Sequence, residues 1–420
     1  MATDHVVILL LDLALICVGS RLLGGLARRL NQPAVIGEII SGVLMGPTLL
    51  HGAVGDTLFP QEIRPHLAAL ASLGVVLFMF AVGFELDHRL LRGKRRAIAA
   101  VSIGSVVPTF ALGVLVAWHL ASGHPTGDRI SSILFLGVAM SVTALPVLAR
   151  ILHDRGLNRT AVGSLAVSCA AVTDALAWMT LAVVTMLANR DSQQWRMAFI
   201  PVFVALLPAF RPLARRLMAR TEHSGGSAWE PLAFVLPGLL LSAAWTEWMG
   251  LHYIIGAFLF GLLLPKDGLP RVRFEIEDAV HKMGTSLLLP VFFVIAGLKV
   301  DLSRIGAGEL GDFALIMLVA VSSKFGGVFL AARAVGMDRT RAAALGTLMN
   351  TRGLTELVML SAGLGLGLLD QELYSLMVLM AVFTTVLTGP LLRLLYPRHA
   401  IAAEVERSAP AESEAAPSRP

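Results

Sequence analysis

The chain has 420 residues, of which 56% are hydrophobic and only 15% charged, and its mean hydropathy is +0.74. Soluble domains carry about 25% charged residues, so this composition excludes an ordinary soluble fold and gives an all-α polytopic membrane protein. The net charge of +5 and a pI near 9.6 do not call for nucleic acid, because the basic residues sit in short segments between apolar runs, where the positive-inside rule accounts for them.

At about twenty apolar residues per crossing, the pattern predicts about thirteen spans: 6–27, 33–50, 65–86, 96–120, 130–150, 160–187, 196–218, 231–248, 251–265, 282–298, 312–335, 341–363 and 373–395. The first five residues lack a basic n-region and the first run lacks a small-residue cleavage site, so it reads as a retained span. Cys17 and Cys169 each lie inside an apolar run, as small core residues rather than a disulfide or metal pair. If span one enters from outside, the inner segments hold Arg28 and Arg29, then Arg89, Arg92, Lys94, Arg95 and Arg96, then Arg150, Arg155 and Arg159, with similar groups from Arg211 to Arg220, Lys266 to Lys282, Arg333 to Arg341 and Arg393 to Arg398. The outer segments hold only Arg64, Arg129, Arg190, Arg196, Lys299 and Arg304. This asymmetry predicts a cell-membrane protein with its N-terminus outside and its C-terminus in the cytoplasm.

Few charges remain within spans. Arg21 can snorkel from the end of span one, but Lys324 and Arg352 cannot, and Asp12, Glu38, Asp174 and Glu356 are acids well inside apolar runs. Asp174 stands out, midway along a run from Val162 to Leu187 that is otherwise apolar or small. An aspartate at a membrane-helix centre costs about 2.5–3.5 kcal/mol and is found facing protein or a wet cavity. At helical spacing, Ala170, Ala171 and Trp178 share its face.

Three stretches recur in the same order at nearly constant separation. Ile36-Gly-Glu-Ile-Ile-Ser-Gly42 returns as Ile255-Gly-Ala-Phe-Leu-Phe-Gly261, Phe78 to Asp87 as Phe292 to Asp301, and Met140-Ser-Val-Thr-Ala-Leu145, more loosely, as Met349-Asn-Thr-Arg-Gly-Leu354. The partners lie an odd number of spans apart, so the halves run through the membrane in opposite senses, which is the inverted-repeat plan of secondary transporters. The third pair marks interruptions: Ser141-Val-Thr-Ala-Leu-Pro146 in span five, and Asn350-Thr-Arg-Gly353 in span twelve. Pro146 alone would suggest a repaired kink. Two polar breaks at equivalent places predict a pair of crossed, interrupted helices, with Arg352 and Glu356 supplying charge to the exposed dipole ends. Residues 220–230, with Ser-Gly-Gly-Ser, read as a loop, and 396–420, an Ala/Glu/Pro/Ser tail, as cytoplasmic disorder. No nucleotide fingerprint follows a strand pattern, and no cofactor is expected.

These residues resemble the monovalent cation:proton antiporters, the family holding bacterial Na+/H+ and K+/H+ exchangers, Kef proteins and plant cation/H+ exchangers. Pro33-Ala-Val-Ile-Gly-Glu-Ile-Ile-Ser-Gly-Val-Leu-Met-Gly-Pro47 resembles its entry motif, Ser141 to Leu152 and Met349 to Leu357 its two broken helices, and Ser323-Lys-Phe-Gly-Gly327 its lysine-glycine span. The resemblance covers nearly all of a membrane domain over 1–395. It implies an ion-carrying core (spans within 96–187 and 312–395) moving against a dimerising scaffold (6–86 and 231–298), with 196–218 as linker. It also implies Asp174 as the ion-binding acid and Lys324 as a charge-balancing partner. One departure is Thr173, where relatives carry Asp, Asn or Gln before the acid.

The function expected is therefore exchange of Na+ or K+ for protons by alternating access. Asp174 would be the shared site, Thr143 and Thr173 would add oxygen ligands, and Lys324, Arg352 and Glu356 would balance charge, in an electroneutral homodimer embedded in the lipid bilayer. The rival reading is a transport-inactive or channel-like membrane protein on the same scaffold. An enzyme is disfavoured, since the intramembrane residues hold no nucleophile–base arrangement.

Overall fold

The computed structural model describes residues 2–48, 53–85, 95–124, 128–157, 160–188, 194–224, 229–265, 269–303 and 305–396, and every regular element among them is helical. The helices are α1 (Ala2–Arg29), α2 (Ala34–Met45), α3 (Ala53–Leu58), α4 (Arg64–Glu85), α5 (Arg95–Leu120), α6 (Arg129–Ser141), α7 (Leu145–Asp154), α8 (Ala161–Ala188), α9 (Ile200–Ser224), α10 (Trp229–Trp248), α11 (Tyr253–Leu263), α12 (Pro270–Met283), α13 (Leu289–Leu298), α14 (Ala307–Ala334), α15 (Arg339–Met349), α16 (Leu354–Gly365) and α17 (Gln371–Leu395). Among the described residues, seven stretches are long and apolar enough to cross a membrane by length and composition, one of them joining α6 to α7, and α2, α11 and α13 are shorter apolar helices. The expected tail beyond 396, residues 225–228 and the inner- and outer-segment residues Arg89, Arg92, Lys94, Arg159, Arg190, Lys266, Arg304 and Arg398 lie outside the described residues, and the loop expected over 220–230 is shorter than that, since 220–224 complete α9 and 229–230 begin α10.

Each expected span contains a helix or a helix pair, with local differences that have physical causes. Span two stops at Met45, where Gly46 turns extended. The start of span seven is a 3-10 turn, Gln194–Phe199, leading into α9. The largest difference is α12, a helix in place of an inner loop. Its polar face is held by i,i+4 pairs, Arg271–Glu275 at 2.8 Å, Arg273–Glu277 at 2.7 Å and Lys282–Asp278 at 2.7 Å. Pro270 occupies its first turn, and the Glu222 carboxylate at the end of α9 accepts the first free amides, from Arg271 at 3.3 Å and Val272 at 2.9 Å. A π turn, Gly284–Leu288, carries it into α13.

The repeat is visible as reciprocal close approaches. A methyl built on Gly42 of α2 would lie 2.2 Å from Val294 O of α13, and one on Gly297 of α13 would lie 2.4 Å from Ile39 O of α2. The counterpart contact joins α11 to α4: a methyl on Gly261 would lie 2.2 Å from Phe80 O, and one on Gly83 would lie 2.2 Å from Phe258 O. Each half thus lends a glycine helix to the other, with backbones close enough that only hydrogen fits. Gly104 of α5 and Gly327 of α14 meet in the same way. Apolar side chains on the outer face of α1, including Leu10, Leu11 and Leu22, are more than half exposed, as a helix against hydrocarbon requires.

Candidate functional site

Helix α6 ends at Ser141 because Val142 turns extended, with φ −67° and ψ 147°, and the chain resumes helix only at Leu145. Pro146 therefore sits in the first turn of α7, where its missing N–H removes no helical bond. It starts a helix instead of kinking one. In the other half α15 ends at Met349 and α16 begins at Leu354. The two gaps abut. Ala144 N donates to Thr351 O at 3.1 Å and Thr143 Oγ1 donates to Met349 O at 3.0 Å. A methyl on Gly353 would lie 2.5 Å from Val147 Cγ2, so this position must stay bare for the breaks to touch.

Interrupting two helices in a buried place exposes backbone groups that need partners. At the α6 end, Arg352 donates from Nη1 to Ala139 O at 3.2 Å and from Nη2 to Met140 O at 2.5 Å, while Lys324 Nζ donates to Ser141 O at 2.7 Å and to Val142 O. Two cations thus meet the negative end of α6. At the start of α7 the Leu145 amide donates to Asp174 Oδ2 at 3.3 Å, placing an anion on the positive end. In the second break Thr385 Oγ1 accepts the Arg352 amide at 3.1 Å and lies 2.6 Å from Arg352 O, to which it donates. Glu356, in the first turn of α16, accepts from Arg352 Nη1 at 2.9 Å.

Asp174, Lys324, Arg352 and Glu356 are each 0% exposed. Ala170, Ala171 and Trp178 are buried on the Asp174 face of α8, while Met179 and Val183 point out. Asp174 Oδ1, Asn350 Oδ1, Thr355 Oγ1 and Glu356 Oε2 are buried oxygens with no hydrogen-bond partner. The crossing thus brings together a carboxylate with one uncommitted oxygen, two cations turned to carbonyls, and several neutral oxygens.

The six residues singled out from the sequence occupy distinct positions. Lys324 makes no ion pair with Asp174, because its ammonium is engaged by the two α6 carbonyls. Thr143 bridges the breaks and keeps its oxygen free to accept. Thr173 gives its proton to Ala170 O of its own helix at 3.0 Å and makes no bond to Asp174. Arg352 and Glu356 form the expected pair. Sequence reasoning missed Thr385. The signal was there: Thr384 and Thr385 follow Asp174 at about the separation that relates the other repeat pairs.

Helix α16 separates two spaces. Beside its N-terminus, Ile36, Val147, Arg352, Gly353, Leu357 and Thr385 line a crevice of about 10 Å³, room for at most one water. Beside its C-terminal half, Ser72, His252, Tyr253, Lys299, Val358 and Ser361 line a cavity of about 190 Å³.

Residues 16–396 match the family described as sodium/hydrogen exchanger, transmembrane. The chain is 35% identical over 408 residues to the Na(+)/H(+) antiporter NhaS4 of Synechocystis sp., covering 94% of this chain and 99% of that one. It is also 35% identical over 411 residues to cation/H(+) antiporter 20 of Arabidopsis thaliana, and 31% identical over 386 residues to K(+)/H(+) antiporter 1 of Saccharomyces cerevisiae. These matches cover 93% and 88% of this chain but 48% and 44% of those longer proteins, so it spans about half their length. Among solved structures, the sodium proton antiporter MjNhaP1 from Methanocaldococcus jannaschii is similar with a TM-score of 0.70, covering 96% of this chain and 99% of that one at 15% identity, a likeness of fold.

Proposed function

The chain belongs to the sodium/hydrogen exchanger family, membrane antiporters of monovalent cations and protons, and from that premise we propose that Asp174 is the single site over which a proton and an alkali cation alternate. The observation that carries this reading is the Asp174 carboxylate itself, fully buried at the crossing with one oxygen on the Leu145 amide and the other uncommitted. A proton on Oδ1 serves one half of the cycle. In the other half a cation takes its place, and a hard alkali ion that has lost its water is met by neutral oxygens, those of Thr143 and Thr173 and backbone carbonyls at the breaks other than the four that Arg352 and Lys324 hold. Lys324, Arg352 and Glu356 balance the remaining charge and dipole ends.

Alternating access is a movement of the core, α5–α8 with α14–α17, against the scaffold, α1–α4 with α10–α13, with α9 as the link. The unequal spaces on either side of α16 support it, one nearly closed and the other roomy. The cargo is Na+ or K+, the ions named for the relatives above. The scaffold joins two copies, and the chain sits in the cell membrane with its N-terminus outside and its C-terminus in the cytoplasm.

The test is dye-monitored proton flux in proteoliposomes on addition of Na+, K+ or Li+. Asp174→Asn keeps the size of the side chain and removes the titrating group, so it should fold and exchange nothing. Wild-type flux in that variant would overturn the site. Absence of cation-driven flux in the wild type would favour the channel-like or inert alternative.

A further inference from the structure

Away from the crossing, His124, Asp370 and Glu372 are the described residues whose arrangement suits a metal ion, with one ligand atom from each lying within 4.8 Å of the others. They come from both halves of the repeat. His124 follows the end of α5, Asp370 is the N-cap of α17 and Glu372 lies in its first turn. Asp370 divides its oxygens: Oδ1 accepts the Leu373 amide at 2.7 Å, and Oδ2 faces His124 Nδ1 at 2.7 Å. Oδ2 is therefore an oxygen that the helix cap does not use.

A histidine–aspartate hydrogen bond explains His124 and Asp370, and nothing more is required for those two. A first-turn acid also suits the positive end of α17; Glu372 is in addition a second carboxylate in reach of the same point, and its side chain forms no ion pair. The charged groups acting on His124 are Asp370, Glu372 and Asp312 of α14, all acids. The imidazole itself is buried, 7% exposed.

We propose that His124 Nδ1, Asp370 Oδ2 and a Glu372 oxygen form a binding site for a divalent transition metal, Zn2+ or an ion with the same preference for imidazole with carboxylate, with water completing the shell. The proton shared by His124 and Asp370 leaves to solvent as the ion enters. The two atoms part by well under 1 Å, since metal–ligand bonds are about 2.0–2.2 Å. An ion there ties the end of α5 to the start of α17, joining the two repeat halves at one end of the core.

The test is calorimetric titration of chelator-stripped, full-length protein in detergent with Zn2+, alongside the visible spectrum of bound Co2+ and the melting temperature with and without Zn2+. Variants His124→Gln and Glu372→Gln are compared with the wild type, and Asp370 is left alone because it caps a helix. The wild type should bind one saturable equivalent and melt higher with it. Loss even of groups that only support a ligand weakens metal binding about 10–100-fold, so each variant should bind at least about tenfold more weakly. Absence of a saturable equivalent in the wild type would overturn the site, as would unchanged Zn2+ affinity in either variant. If His124→Gln does not fold, Glu372→Gln decides alone, because that side chain makes no hydrogen bond or ion pair in the metal-free protein.

Discussion

Arg352 connects more of the crossing than any other side chain, donating to Ala139 O and Met140 O of one break and to Glu356 beside the other. Truncation to alanine leaves two buried carbonyls and a buried carboxylate without donors. Removing one partner of a buried pair costs about 3–5 kcal/mol, chiefly through the charge left behind. Arg352→Ala should therefore lower folded yield and melting temperature sharply. Glu356→Gln should cost less, since an amide oxygen still accepts from Nη1. Neither side chain bonds to Asp174, so the cation affinity of what folds should change little. Normal thermal stability with a large affinity change would instead make the pair part of the ion path. The i,i+4 spacing made this pair legible in the sequence. The reach of Arg352 to the opposite break was not, nor was Thr385, because periodicity orders neighbours along one helix and is silent about what another helix presents across a gap.

At the scale of helices, glycines set how closely the halves interlock. Gly42→Val would drive its Cβ to 2.2 Å from Val294 O, and the obstacle is backbone that cannot swing aside. Overpacking of this kind costs about 1–3 kcal/mol, and Gly261→Val, the counterpart on α11, should behave alike. Gly326 of α14 offers the contrast, since a methyl there meets nothing within 4 Å. Gly326→Ala should be neutral or stabilise by up to about 1 kcal/mol through helix propensity. Thermal unfolding in detergent measures all three, and equal destabilisation at Gly42 and Gly326 would contradict the packing argument. The repeated Gly-x-x-x-x-Gly stretches of α2 and α11 were readable in the sequence, and so were both interruptions. Pro146 taken alone is compatible with a kink; the second break at the repeat-equivalent position is what points to an interruption, and Val142 turning extended places Pro146 in the first turn of a new helix. The helical form of α12 was hidden for another reason: charge counting marks Arg271, Arg273 and Lys282 as lying outside the bilayer, while their i,i+4 acids decide what they form there.

For the molecule as a whole, the charges at the crossing bear on how many protons move per cation. Asp174 and Glu356 oppose Lys324 and Arg352, and the position before the acid is Thr173, which offers oxygen but no second titrating group. If Asp174 alone changes occupant, a proton in one direction is matched by one monovalent cation in the other, and the exchange carries no net charge. A second proton would have to come from Lys324. Its ammonium donates to Ser141 O and Val142 O at the end of α6, so releasing a proton would remove its positive charge from that negative helix end and leave Arg352 as the cation there. A lysine that faced Asp174 directly would lose its partner whenever a cation bound and would be freer to discharge; this one keeps its carbonyls in either state. Exchange in proteoliposomes should therefore run at the same rate with the potential clamped at zero and at an inside-negative value set by valinomycin, in conditions without competing K+ transport. A rate or end-point that follows the potential would refute one-for-one exchange. If that dependence then vanished in Lys324→Ala while exchange persisted, the lysine would be the second proton carrier, and its hold on the α6 carbonyls would have to break during the cycle.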